Sequence, residues 1–325
     1  MVSALTRRDL VLGTAATMLL PSPCAAQAAA FPRKVAHAFG ETGIAGKPQR
    51  VVTVGFGDEA SFLALGCKPA AIVYSGMFES GMTPWCEQRF GSHKPAFLDG
   101  SITDFEAVAR LQPDLIAGIF SQMDEVAYER LSRIAPTVAY RSGPWRAGWR
   151  EQLDLTGEIL GEELRAKSLR SETEALLRSF GSTFPGLKGK SFTFGSFFAG
   201  SSRIIIYLPG ETRVDWMAEI GMTPSPGVLE LAERHPGQVA ADLSLETLEE
   251  VAADLLVMWY EPGAREALES HVLFRMFEPV RRGRYFALDD AVEIWAASWP
   301  NVLAIPHTFP RFLPRMEAAA NAETP

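Results

Sequence analysis

Chemistry-bearing residues are scarce in this chain, and their scarcity narrows its function before any motif is read. Only five histidines occur, His37, His93, His235, His271 and His307, and they form no grouping with carboxylates of the kind a bare zinc or manganese ion needs. The three cysteines, Cys24, Cys67 and Cys86, make no metal-binding spacing. There is no glycine-rich phosphate loop, no G-x-S-x-G elbow and no H-E-x-x-H pair. One glycine cluster, GFGDEAS at 55–61, follows an apolar strand but lacks the third glycine of a dinucleotide fingerprint. Surplus positive charge is missing too: 31 basic against 39 acidic residues give a formal −8, a poor match for nucleic acid. These gaps weigh against metal-ion binding, catalysis and nucleic-acid recognition.

No apolar run reaches the roughly twenty residues that cross a bilayer. The longest candidate lies in LTRRDLVLGTAATMLLPSPCAAQAAA, where Arg7 and Arg8 precede an apolar stretch from Leu10 to Leu20 and then small residues. That order describes an export signal, and the paired arginines describe one of the twin-arginine type. Cleavage after Ala28 is expected, so residues 1–28 are a signal peptide and the mature protein is periplasmic. A lipid anchor on Cys24 is the alternative, disfavoured by Pro23 in the position where such sites take a small residue. Cys67 and Cys86 then remain in a compartment that permits disulfides. The strand AAIVY lies between them, so whether they bridge depends on whether the following loop folds back.

A chain of 325 residues, 47% apolar and 22% charged, is long enough for two ordinary globular domains. From Arg50 onward, continuous apolar strands (RVVTV, PAAIVY, PDLIAGIF, PTVAY) alternate with helical segments, which predicts a parallel sheet covered on both faces. After KSFTFGSFF the alternation starts again. One unit occurs twice: ITDFEAVARLQPDLI at 102–116 is matched 140 positions later by DLSLETLEEVAADLL, aligning Glu106 with Glu246 and Asp114 with Asp254. Between the halves, Trp149, Leu153, Thr156, Leu160 and Leu164 form one helical stripe with no proline from Trp149 to Phe180. A helix of some thirty residues would reach about 45 Å. The expected architecture is therefore α/β: two Rossmann-like lobes with parallel sheets, at 29–145 and 183–325, joined by one long rigid helix over 146–182. The Ala-rich tail after Met316 is expected to be disordered. A cleft between the lobes follows, because ligands sit beyond the carboxyl ends of strands in open α/β sheets.

With these features in order, the chain resembles the periplasmic substrate-binding proteins of ABC importers for ferric siderophores, a group with cobalamin- and haem-binding relatives. The resemblance covers nearly the whole mature chain and rests on PQRVVTVGFGDEASFLALGCKPAAI, DFEAVARLQPDLI, YERLSRIAPTV, the linking helix, and DLSLETLEEVAADLL followed by FEPVRRGRYFAL. It implies a monomeric, non-enzymatic receptor with no covalently bound cofactor, whose ligand is a ferric siderophore and whose partner is the permease dimer of an importer. It also implies that Glu106 and Glu246, one on each lobe, dock on the two transporter subunits. The plainer account of these glutamates is that they are first-turn helix acids, with Thr103 and Ser244 as caps. Haem or cobalamin as the ligand, an exported enzyme and a sensor protein are the alternatives.

The pocket should be lined by residues just past strand ends: Phe56, Trp85, Phe120, and Trp145 with Arg146 from the first lobe, then Arg203, Tyr260 and Trp295 from the second. Aromatics dominate, and Arg146 or Arg203 would offer a planar fork to chelate oxygens. Similar hydroxamate-binding proteins carry an arginine in the loop before the first glutamate. Here that loop reads LDGSIT, without a basic residue. Haem would need an axial ligand, for which Tyr207 or Tyr260 could serve.

Overall fold

The computed structural model describes residues 31–100 and 103–323. The expected signal peptide and Cys24 lie outside them. The chain opens with a hairpin, β1 (Arg33–His37) and β2 (Gly40–Ile44). It then runs β3 (Val51–Thr53), α1 (Glu59–Ala64), β4 (Ala71–Val73), α2 (Pro84–Phe90), β5 (Ala96–Leu98), α3 (Phe105–Arg110), β6 (Leu115–Gly118), α4 (Glu125–Ser132) and β7 (Thr137–Ala139). Two helices follow, α5 (Trp149–Leu160) and α6 (Glu163–Thr183). Next come β8 (Ser191–Phe197), β9 (Arg203–Tyr207), α7 (Thr212–Glu219), β10 (Thr223–Pro224), α8 (Pro226–Arg234) and β11 (Ala240–Ser244). A 3-10 turn at Leu245–Val251 leads to β12 (Leu255–Tyr260), α9 (Ala264–Glu269), α10 (Val272–Met276), α11 (Glu278–Arg281), β13 (Tyr285–Leu288), α12 (Ala291–Ser298) and α13 (Ala304–Ala320).

The first sheet has the order β5-β4-β3-β6-β7 and is parallel throughout. Its strand order reverses between β3 and β6, which creates a crevice above their carboxyl ends. The second sheet, β11-β9-β8-β12-β13, is mixed, with β10 added beside the start of β8. Strands β8, β12 and β13 are parallel, but β9 is antiparallel to β8 and β11 is antiparallel to β9. The cause is loop length. Only residues 198–202 separate β8 from β9, enough for a hairpin but far short of a crossover.

The repeated unit does the same job in both lobes. Asp114 accepts hydrogen bonds from the backbone N–H groups of Gln49 (2.7 Å) and Arg50 (2.9 Å) at the entrance to β3. Asp254 accepts from the Ser191 N–H (2.9 Å) and hydroxyl (2.8 Å) at the start of β8. Each aspartate thus pins the strand that pairs with its own: Val51 lies opposite Leu115, and Phe192 opposite Leu255.

The connecting segment is helical but is not one rod. Gly161 adopts a left-handed conformation (φ 71°) and ends α5, so α5 folds back on α6 as a helical hairpin. Packing is close where the arms meet: a Cβ on Gly157 would lie 2.7 Å from that of Ala166. Farther along, Arg150 and Arg170 both bind Glu174 (2.6 and 3.2 Å), and Arg170 also pairs with Asp154. The bridging arm is α6 alone, whose 21 residues span about 31 Å. At one end Arg165 donates to the carbonyls of Ala64 (3.1 Å) and Leu65 (3.2 Å), where α1 finishes. At the other, Gly181 packs so tightly on Ile220 that a Cβ would stand 2.8 Å from its carbonyl oxygen.

One continuous apolar core runs from Val35 through α5, α6 and α13 to the inner face of the second sheet; a smaller core lies on that sheet's outer face. The tail expected to be disordered is helical as far as Ala320, because Phe309, Phe312, Leu313 and Met316 anchor α13 while Pro310 and Pro314 face solvent. Between β12 and β13 the chain forms three short helical pieces, α9 to α11. Cys67 and Cys86 are both free thiols.

Asp58 and Glu59, at the start of α1, are buried side by side, and desolvation raises each carboxyl to a pKa of about 7. One Glu59 oxygen faces the Cys86 thiol at 3.7 Å, while the other has no partner. The folded state therefore binds protons here that the unfolded chain has released, so stability is lost as pH rises from the ordinary carboxylate range to about 7. Glu59→Gln should shrink the difference in melting temperature between pH 5 and pH 8, followed by calorimetry. An unchanged difference would remove Glu59 as its source.

Candidate functional site

A cavity of about 420 Å³ lies between the lobes, lined by Phe56, Phe120 and Trp145 on one side and Tyr207, Glu211, Arg213, Val239, Ala240 and Trp299 on the other. The first three stand just beyond β3, β6 and β7, so Phe56 and Phe120 flank the crevice at the strand-order reversal. A side arm of about 260 Å³ continues past Phe56 and Trp145 to Thr103, Ser121 and Asp124.

The buried Asp58 carboxylate fixes this wall. It accepts hydrogen bonds from the N–H groups of Ile119 (2.7 Å) and Phe120 (2.9 Å), while the Phe56 N–H donates to the Phe120 carbonyl at 2.9 Å. Only glycine fits at position 55, since a Cβ there would come within 2.2 Å of the Asp58 carboxylate. Trp145 is held in the left-handed region (φ 58°), unusual for a side chain of its size. Its N–H donates to the Ser121 carbonyl (3.0 Å), and its ring meets Phe120 and Phe56 at centroid distances of 5.3 and 5.8 Å.

The opposite wall centres on Arg213, whose side chain is only 9% exposed. Its guanidinium lies 4.3 Å from the Tyr207 ring centroid, 5.4 Å from Trp299 and 5.9 Å from Trp259. One terminal nitrogen pairs with Glu211, while the buried Nε–H has no partner. Glu211 also accepts from the Arg213 backbone N–H (2.7 Å) at the start of α7. Burial raises the Glu211 carboxyl above its ordinary pKa, with Arg213 pulling the other way. The Tyr207 hydroxyl is engaged by Trp259 Nε1 (2.9 Å) and Ser196 Oγ (3.0 Å).

Phe56, Phe120 and Trp145 therefore come together in the cleft. Trp295 stands behind its wall, 4.5 Å from Trp299 and 6.4 Å from Phe56 between ring centroids. The others lie elsewhere. Trp85 is buried against His307 beside a separate hollow of about 610 Å³ between α1, α2, α6 and α13. Arg146 is exposed and donates across the lobes to the Gly237 carbonyl. Tyr260 sits in the second lobe's outer core, bonded to Tyr285. Arg203 donates to the Asp242 carbonyl (2.9 Å) at the far end of β9. The reversed direction of β9 explains this: Arg203 begins the strand beside the carboxyl end of β8, and Tyr207 ends it at the cleft. In YLPGETR the same strand-end rule, applied to the end of β9, finds Arg213. Trp299, just past the end of α12, carries no such signal.

Glu106 and Glu246 are both exposed, each at the second residue of its helical segment. Asp104 rather than Thr103 caps α3, accepting from the Ala107 N–H (2.9 Å), and Ser244 caps the 3-10 turn, accepting from the Glu246 N–H (3.3 Å). Among the described residues no three His, Cys, Asp or Glu side chains come together as a metal site. No described helix is long and apolar enough to cross a membrane.

Two α/β lobes, a helical brace and an aromatic interlobe cavity define a binding protein of the two-lobed solute-receptor class. Residues 82–292 match the family model for periplasmic binding proteins, and the chain belongs to that family. Among solved structures it is similar to the iron uptake ABC transporter substrate-binding protein PiaA of Streptococcus pneumoniae in complex with ferrichrome (26% identity, TM-score 0.79, covering 89% of this chain and 99% of that one). A periplasmic solute binding protein of Mycobacterium smegmatis is similar at 25% identity and TM-score 0.78, over 89% of this chain and 98% of that one. Staphylococcus aureus SirA with staphyloferrin B, at 22% identity and TM-score 0.70 over 90% and 100%, shares the fold. No curated protein matches significantly.

Gly55→Ala and Asp58→Ala should each lower the melting temperature by several degrees, the first by steric conflict and the second by orphaning two buried N–H groups. Because the new methyl would clash mainly with the Asp58 carboxylate, the double variant should lose less than the sum, measured by calorimetry. Simple additivity would show that the two residues act separately.

Proposed function

We propose that this protein is an exported, periplasmic receptor that captures a ferric siderophore in its interlobe cleft and delivers it to the permease dimer of an ABC importer. The observation that carries this reading is Arg213, a buried guanidinium with an unpartnered N–H among aromatic faces, in a cavity between two braced lobes. A siderophore already fills the coordination shell of its iron, so the protein need supply no metal ligand. What it must supply is apolar surface for the chelator's periphery and a donor for iron-bound oxygens, which are the groups the cavity offers. The solved complex of PiaA with ferrichrome supports the same class of cargo.

The protein acts as a monomer without covalent cofactor or catalysis, and ATP hydrolysis by the importer drives uptake. Export follows the twin-arginine segment at 1–28. The lobes are residues 29–145 and 183–325, with 146–182 as the brace. Haem finds less support: the Tyr207 hydroxyl already has two partners, and Tyr260 lies outside the cleft. Docking falls to Glu106 and Glu246. Two separated charges on a stiff body select one orientation and speed encounter more than they raise affinity.

In tryptophan-fluorescence titrations with ferrichrome, Arg213→Ala should weaken binding about tenfold or more, while Arg203→Ala should leave it unchanged. The reverse order would move the ligand to the other end of β9. Reversing both Glu106 and Glu246 to lysine should preserve ferrichrome affinity and abolish importer-dependent uptake of radioactive iron. Normal uptake would remove their docking role.

A further inference from the structure

The charged residues of the cleft wall are paired with each other. Of the described residues lining the 420 Å³ cavity, only Glu211 and Arg213 carry formal charge. Their side chains are 8% and 9% exposed, and they form a direct ion pair. Glu211 is further tied to the start of its own helix by the Arg213 N–H (2.7 Å) and the Thr212 hydroxyl (3.3 Å), so both of its oxygens are occupied by local partners. Arg213 commits one terminal nitrogen to Glu211 and keeps its other guanidinium N–H groups, the unpartnered Nε–H among them, for a guest. The cavity therefore offers the donors of a single arginine and no net positive charge.

We propose that Glu211 is the specificity-determining residue of this cleft, cancelling the charge of Arg213 so that the site takes neutral ferric chelates and rejects strongly anionic ones. The inference rests on the siderophore reading and narrows it. Three hydroxamates, each bearing one negative charge, neutralise Fe(III) and give a complex of zero net charge. Three catecholates, each bearing two, leave a charge of −3. Moving such a trianion out of water into an aromatic cavity of no net charge costs much of its hydration with no compensating attraction. A neutral chelate gives up far less and still receives a guanidinium hydrogen bond from Arg213 at an iron-bound oxygen. An unpaired Arg213 would act the other way, favouring the anion by direct attraction at low effective dielectric. Specificity arises here from a built-in penalty against the wrong charge as much as from attraction to the right one.

The test is a pair of fluorescence titrations on the mature protein, one with ferrichrome (neutral) and one with a hexadentate ferric tris-catecholate (charge −3), repeated for Glu211→Gln and Ala240→Lys. Glutamine keeps the size of the side chain and removes its charge. Ala240→Lys adds a positive charge to the wall and leaves the Glu211–Arg213 pair intact, guarding against a folding defect in the first variant. The wild type should prefer ferrichrome by about a hundredfold or more, and each variant should narrow that ratio about tenfold, mainly by gaining affinity for the trianion. A wild type that prefers the tris-catecholate, or ratios unmoved in both variants, would overturn the role of Glu211 while leaving the siderophore reading intact. Failure of the wild type to bind either complex would overturn both.

Discussion

The fixed spacing of the two lobes is the constraint on which the cleft depends, and Arg150 is where it is most concentrated. From α5 its guanidinium reaches Glu174 on α6 at 2.6 Å and both carboxylate oxygens of Glu219 on α7, at 2.8 and 2.9 Å, with its plane lying 4.4 Å from the Trp149 ring centroid. One side chain thereby joins the returning arm of the hairpin, the bridging arm and α7, the helix that carries Arg213. Exposed ion pairs contribute little, but a half-buried bidentate fork shared among three helices fixes direction as well as distance. The continuous core beneath it adds the larger share of the stability, since apolar burial through α5, α6 and α13 cannot be broken in one lobe alone. Wide opening would cost that core, so the cavity is formed before the ligand arrives and binding loses little to reorganisation.

Within this fixed gap the two walls have different duties. The N-terminal wall is positional: Gly55, Asp58 and the strained Trp145 cooperate to hold three aromatic side chains at the mouth of the strand crevice. The C-terminal wall is electrostatic, with one arginine enclosed by Tyr207, Trp259 and Trp299 and restrained by Glu211. A buried pair of this kind is weak support for stability, because desolvation offsets most of its Coulomb energy. Its presence in a ligand cavity is easier to understand as a means of discrimination. The asymmetry has a simple origin, in that the first sheet presents carboxyl ends to the cleft and the second presents the end of a reversed strand.

Much of this was legible in the sequence. Continuous apolar strands separated by helical segments gave the two lobes, and the strand-end rule found Phe56, Phe120 and Trp145 because the first sheet is wholly parallel. The same rule misplaced Arg203 because strand direction is not encoded in apolar periodicity; it depended on the short loop at 198–202. The helical stripe from Trp149 to Leu164 was also real as a pattern but silent about Gly161, whose left-handed turn folds the rod in two. Trp299 was invisible for a different reason: its role exists only once the fold brings the end of α12 beside Arg213.

The duplicated unit joins fold to function most economically. Its aspartates are needed by the architecture, since each supplies acceptors to the first strand of its lobe. Its capping residues, Asp104 and Ser244, are needed by the helical turns they begin. The glutamates are needed by neither. The Glu106 side chain is 91% exposed, and the ion partner nearest to it, Arg110, stands 3.8 Å away and is itself exposed. Glu246 is exposed at the rim of a hollow with Arg203 and His271. An acid in the first turn gains a few tenths of a kcal/mol from the helix dipole, about 0.3–1 kcal/mol at most on an exposed surface. That is too little to require a glutamate at the same step of both copies, when Asp104 already sits at the start of one. The docking role proposed for them would require it, with the brace holding the two acids at a constant separation.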